Sequence, residues 1–435
     1  MDASLSAHQG LQLNTIAFMV FVVAAVVLYR VSLQLTTRRP APAGAAVAVD
    51  TSPQGQGFGI WTRNIVLLLI NAVFLAFFLS GLTSLLILAG LLLSTYALGR
   101  WRIALNQQKR DLPRVFGLVS TAFWVLLFLA KDPQLLSPVN PFGYFPLKLI
   151  GVSFLFFRCI NYVEDAPILK PHSLLDFVNF SIFFPTLIAG PLERFDHYIA
   201  DFKTPRPVDF DVSLKAAQLI ATGVIKKFVL ADTLYPLTGF GGADPMVMNV
   251  PALWIVFLLH LIVLYLDFSG YTDMMLGIGR LLGFKLPENF NKPFLATNIQ
   301  EFWERWHISL TSFIQDYLFT PLTRAIMFRT SGGWQFPLIV GNYFFTMMVI
   351  ALWHGTTWGF IIFGLLHSLA LVHLQVRKRY KKRWADFAVL RPLTWDTPTS
   401  VARVGTYLYV SLTMLFWIYG PTTALALLGR MIGLS

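Results

Sequence analysis

The sequence predicts an all-α integral membrane protein that crosses the bilayer about ten times or more, with re-entrant or interfacial helices around a central cavity. Three observations carry this reading. The 435 residues are 56% hydrophobic and only 13% charged, whereas about a quarter of a soluble domain is charged. Apolar runs recur at close to the ~20 residues that a helical span needs. The basic residues behind the net charge of +12 gather in clusters beside those runs, as the positive-inside rule requires of loops on the cytoplasmic face.

Taken in order, candidate spans cover residues 15–31, 64–80, 83–98, 114–130, 145–163, 174–189, 251–268, 336–353, 358–376 and 404–419. Three further stretches are apolar but short or interrupted. Residues 214–230 contain Lys215, Lys226 and Lys227, and residues 274–284 and 313–326 are too short to span. Such segments are stable at membrane depth only where protein or water surrounds them, so they are read as re-entrant or interfacial. Residues 37–57 are rich in Pro, Ala and Gly and read as a loop. No other linker is long enough to separate domains, so residues 1–435 are expected to form one integral membrane domain. The N-terminus, Met1-Asp2, has no basic stretch before the first apolar run, while Arg30, Arg38 and Arg39 follow it. This is expected of an uncleaved first span that begins outside.

The second basic cluster holds Arg100, Arg102, Lys109, Arg110 and Arg114, and the third holds Arg377, Lys378, Arg379, Lys381, Lys382 and Arg383. Both flank spans, and no compact basic domain stands apart from them, which excludes nucleic-acid binding as the meaning of the charge. Cys159 is the single cysteine, so there is no intrachain disulfide and no multi-cysteine metal site. Metal binding is not expected: no His-Glu-x-x-His run occurs, and His307 and His354 lie 47 positions apart without a clear third ligand.

Those two histidines are the chemistry-bearing residues of the chain. One lies in Trp303-Glu304-Arg305-Trp306-His307-Ile308-Ser309, the other in Leu352-Trp353-His354-Gly355. Ionisable groups inside apolar sequence are costly and start with a functional bias. Histidine also exchanges a proton near neutrality. His354 precedes Arg377 by 23 positions, about 35 Å if the helix is continuous. It is therefore expected far from the cytoplasmic face.

Five ordered segments tie these histidines to a known family. They are Gly151-Val152-Ser153-Phe154, residues 183–191, residues 267–273, residues 287–294 running into Trp306-His307, and Asn342 through Thr346-Met347 to Trp353-His354-Gly355. With them the chain resembles the membrane-bound O-acyltransferases over about residues 151–368, in the bacterial branch of alginate O-acetylation and teichoic-acid D-alanylation. It departs from that pattern at Gln315, at Thr323-Arg324 and at His367-Ser368.

The resemblance implies that His354 is the catalytic histidine and His307 its frequent partner. It implies an acyl thioester donor, acetyl-CoA or alternatively the phosphopantetheine thioester of an acyl-carrier protein, and no tightly bound cofactor. The acceptor would be an exported polysaccharide or an extracytoplasmic acyltransferase partner, with the protein in the bacterial inner membrane among its lipids. Proton removal from a hydroxyl suits His354. His307 is left with three roles: orienting the acceptor, polarising the thioester carbonyl or sharing the proton. Trp303, Trp306 and Trp353 are candidate channel walls that exclude water, equally readable as aromatic packing. Asn289 and Asn291 are expected to organise a turn near the cavity, and with Asp316 they are further substrate-channel candidates. Asp316 is grouped with Asp267, Asp273, Glu304 and Arg305, charges expected to pair structurally. His260, His367 and His373 read as structural. A polysaccharide or lipid transporter without chemistry is the rival of another class, and it lacks the repeated halves expected of many transporters.

Overall fold

The computed structural model describes residues 16–37, 53–79, 81–131, 151–238, 244–385 and 398–434. Every extended element among them is α-helical, 3-10 or π-helical, and no strand occurs among the described residues. Among the described residues, seven helices are long and apolar enough to cross a membrane: Ala17–Thr36, Gly59–Ala76, Gly81–Gln107, Val250–Leu282, Gly332–His354, Trp358–Lys381 and Thr399–Met431. Much of the loop expected at residues 37–57, together with Arg38 and Arg39, lies outside the described residues.

The chain divides into two units, one of residues 3–222 and 273–287, the other chiefly of residues 223–272 and 288–435. The first contains α1 (Ile16–Thr37), α2 (Pro53–Ala76), α3 (Gly81–Gln107), α4 (Pro113–Lys131), α5 (Val152–Asp165), α6 (Leu174–Ser181), α7 (Phe184–Leu187), α8 (Phe195–Lys203) and most of α9 (Phe210–Val224). Two sequence expectations change here. Helix α2 already begins at Pro53, inside the expected loop. The expected span at 174–189 is instead two short helices, α6 and α7.

The physical reason for that break is a buried polar framework. Ser173 and Asp176 cap α6 reciprocally. The buried guanidinium of Arg158 donates to the carbonyls of Phe180 (3.1 Å) and Ser181 (2.6 Å), groups that a helix end leaves without internal donors. Asn71 accepts from the backbone N–H of Phe184 at 3.0 Å. Asn64 donates to Asp176 at 2.8 Å, and Asn179 donates back to the carbonyl of Asn64 at 2.9 Å. Around this framework Tyr162, Phe177, Phe180, Phe183, Phe195, Tyr198 and Phe284 form an aromatic core.

The second unit is built on α10 (Val250–Leu282), whose last turns belong to the first unit. The stretch at 274–284, expected as a separate short segment, mostly continues this helix. Its glycines are places of close approach. A Cβ on Gly270 would meet the backbone of Gly223 and Lys227, each at 2.8 Å. Lys227 lies in the π-helical stretch Ile225–Ala231 and is paired with Asp267. There follow α11 (Ile299–Arg305), α12 (Ile308–Ile314), the π turn Gln315–Phe319, α13 (Thr320–Arg329), α14 (Gln335–His354), α15 (Trp358–Ala385) and α16 (Thr399–Met431). Leu253 and Phe257 of α10 pack with Leu415, Phe416, Ala424, Leu427 and Met431 of α16.

His354 ends α14, and the chain turns through Gly355-Thr356-Thr357 into α15. The separate spans expected at 336–353 and 358–376 are therefore two helices, and the condition of one continuous helix from His354 to Arg377 is not met. Gly364 packs against Ala351, and Ser368 donates to the carbonyl of Phe344 at 3.4 Å, so the helices form a hairpin. From Trp358 to Arg377, α15 still runs about 28 Å, which places His354 at the hairpin's turn and the basic cluster toward the other end of α15.

Candidate active site

His307 occupies a two-residue junction between α11 and α12. Trp306 is extended and forms an isolated antiparallel bridge with Phe290. The backbone N–H of Asn291 donates to the carbonyl of Arg305 (3.0 Å), and that of Ile308 to the carbonyl of Asn289 (2.9 Å). The guanidinium of Arg305 adds a bond to the carbonyl of Asn291 at 3.2 Å. This clamp holds His307 at φ 46°, in the left-handed region, where a bulky L-residue is unusual and strain is often tied to function. His307 is only 4% exposed. Burial pushes its pKa from 6.5 down to about 3, so the imidazole is neutral at physiological pH.

The rings form a continuous path. His307 packs edge-on against Phe268 at 4.8 Å and faces Trp353 at 6.5 Å. Trp353 lies 4.3 Å from His354, which lies 4.3 Å from Trp417. The two histidines thus belong to one wall, with the indole of Trp353 between them. Gly355 makes this approach possible, because a Cβ there would overlap the ring of Phe360. The Nε1 atom of Trp417 is buried and has no hydrogen-bond partner among the described residues.

The other sequence candidates sort themselves by contact. Trp306 stacks on Phe302 at 5.5 Å and meets Phe290 edge-on at 5.1 Å, so it walls the His307 junction. Asn289 is fully buried against His307 and Ser309. Asn291 is exposed and contributes its backbone to the clamp. Asp316 is exposed on the π turn Gln315–Phe319. Trp303 is tied elsewhere: its Nε1 donates to His367 Nδ1 at 3.2 Å. His367 Nε2 is then the protonated nitrogen and donates to Thr413 Oγ1 at 2.9 Å, whose hydroxyl donates to Val410 at 2.7 Å. Both ring nitrogens are committed in this relay, which fits a structural histidine. His260 bonds to Tyr419 at 3.1 Å. Among the described residues, no group of three or more His, Cys, Asp or Glu could hold a metal ion.

Sequence reasoning missed Phe268 and Trp417. Trp417 lies beyond the recognised motifs, and its one signal is the aromatic run Phe416-Trp417-Ile418-Tyr419 near the end of an apolar stretch.

Comparison with known proteins matches residues 74–418 to MBOAT, the membrane-bound O-acyltransferase family. A probable alginate O-acetylase of Pseudomonas aeruginosa is 33% identical over 363 residues, covering 79% of this chain and 66% of the relative. A peptidoglycan O-acetyltransferase of Helicobacter pylori is 35% identical, over 62% of this chain and 51% of its own length. A teichoic acid D-alanyltransferase of Streptococcus thermophilus is 31% identical, over 60% of this chain and 65% of its own. The chain thus spans about half to two thirds of the length of these relatives.

Proposed function

The chain belongs to the membrane-bound O-acyltransferase family, and from that premise we propose that it is a membrane enzyme moving an acyl group, foremost acetyl, from a cytoplasmic thioester to a hydroxyl on the far side of a bacterial inner membrane. The observation that carries the proposal is the single aromatic wall joining His307, Trp353 and His354. In this reading the hydroxyl oxygen attacks the thioester carbonyl while His354 takes its proton. The C–S bond then breaks, and the imidazolium returns the proton to the departing thiolate. General-base catalysis of this kind is worth about 10²–10⁴ in rate. His307, neutral and buried, serves as a hydrogen-bonding partner to the reacting oxygens. Trp353 and Trp306 exclude water that would hydrolyse the donor.

The favoured donor is acetyl-CoA, with no tightly held cofactor, and the favoured acceptor is an exported polysaccharide or an extracytoplasmic partner that completes delivery. The names of the alginate and peptidoglycan relatives support acetyl transfer. The D-alanyltransferase relative supports a second reading, in which a carrier protein delivers D-alanine to teichoic acid. The test uses purified protein in nanodiscs with radiolabelled acetyl-CoA. Thioester turnover that disappears in His354→Ala is expected. Turnover unchanged in that variant would sink the assignment of His354. Turnover only with a D-alanyl carrier protein would select the second reading.

A further inference from the structure

The side-chain amide of Asn289 has two ends, and its surroundings fix which faces which. One end receives the backbone N–H of Ser309 at 3.2 Å and also the Ser309 hydroxyl. A backbone N–H only donates, so the atom opposite it is the carbonyl oxygen Oδ1, and the amide cannot be turned over. That same oxygen lies 3.4 Å from His307 Nδ1. Because an amide oxygen only accepts, Nδ1 is the nitrogen that carries hydrogen. The lone pair of the neutral ring is therefore on Nε2.

The other end of the amide is unused. Asn289 is 0% exposed, and its Nδ2 has no hydrogen-bond partner among the described residues. A buried donor left unmet is rare in folded proteins and calls for an explanation. Organising the local turn accounts for the bonds to Ser309. It does not account for the contact with His307 or for the unmet donor beside it.

We propose that Asn289 works from both ends: its Oδ1 holds His307 as the Nδ1-protonated tautomer with a free lone pair on Nε2, and its Nδ2 hydrogen is kept for an oxygen of the bound substrate. This rests on the acyltransferase reading and deepens it. Toward His307, Asn289 is a positioning residue. Toward the substrate, it supplies a neutral donor held out of water.

The test has two arms. In the first, histidine-labelled protein in nanodiscs is examined by 15N solid-state NMR, and the His307 signal is identified by its loss in His307→Gln. The Nδ1-protonated tautomer is expected in the wild type, with redistribution in Asn289→Ala. A wild-type Nε2-protonated tautomer would overturn the proposal. This arm needs no turnover, so it fails separately from the acyltransferase reading, which His354→Ala judges. The second arm measures thioester turnover against pH in Asn289→Asp. Aspartate keeps an acceptor toward Ser309 and His307 and removes the amide donor. We expect kcat to fall about 10²-fold or more while KM changes little. The acidic limb of the profile should move to higher pH, because a carboxylate beside Nδ1 favours the imidazolium. A thermal-stability loss with a wild-type pH profile would mean that Asn289 only shapes the turn.

Discussion

The ring of His354 lies 4.3 Å from the ring of Trp417, a residue from the last helix of the chain. Trp417 also packs on Phe360 (4.9 Å) and Phe363 (4.8 Å), so it backs the histidine against the α14–α15 hairpin. Trp417→Ala should remove this backing and cost less than the ~3–5 kcal/mol of a fully buried tryptophan, because the indole is only half-buried, with a large loss of thioester turnover. Trp417→Phe should retain the fold while losing the buried Nε1 donor. Thermal unfolding in nanodiscs alongside turnover separates the two effects. Equal turnover in the Phe variant and the wild type would show that the indole N–H is not used.

Gly355 sets the position of His354 by leaving room for Phe360. Gly355→Ala should lower turnover at least about tenfold, since misplacement by ~1 Å costs on the order of 10²-fold. Adding Phe360→Leu should restore part of it. A double variant as impaired as the single would mean that crowding against Phe360 is not the cause.

Glu193 offers a pH test outside the spans. Burial raises its carboxyl pKa from 4.5 to about 8, while the N–H of Arg194 donates to it at 2.9 Å. Between those two values the folded chain holds a proton that the unfolded chain has released. The stabilisation from this group is complete below about pH 4.5 and disappears as pH rises through about 8. The wild-type unfolding midpoint should therefore fall between pH 5 and pH 9, and Glu193→Gln should flatten that fall. Identical profiles for the two proteins would contradict a raised carboxyl.

Lys227 and Asp267 form a buried to partly buried ion pair in the second unit. Lys227→Met alone strands the carboxylate and should cost about 3–5 kcal/mol, whereas Lys227→Met with Asp267→Leu should recover much of it. Denaturation of both variants and the wild type checks this. Additive losses would show that the pair is not coupled.

Much of this was legible in the sequence because long apolar runs and clustered basic residues report directly on burial in lipid. Seven helices long and apolar enough to cross a membrane are present among the described residues, and the motifs around His307 and His354 fall on one wall. The stretch at 174–189 misled because its composition is that of a span. What breaks it is Arg158, Asn64 and Asn71, distant in sequence, answering its backbone and side chains in space. Residues 274–284 misled the other way: alone they are too short to span, yet they mostly continue α10, where a Cβ on Gly277 would lie only 2.7 Å from the carbonyl of Ala216. Asn289 was legible as a turn residue, but its orientation toward His307 depends on Ser309, a pairing that no sequence period encodes.

Helix α16 carries Gly420 at φ 74° followed by Pro421. Proline brings no amide hydrogen, so α16 cannot supply the i+4 donor for the carbonyl of Trp417, the residue packed on His354. One backbone acceptor in the helix that backs the histidine thus goes without its helical donor. An alanine scan would pass over it in silence, because no side-chain truncation removes a carbonyl oxygen. Its genetic handles are Pro421, where any other residue would bring an amide hydrogen, and Gly420, whose left-handed backbone makes the kink.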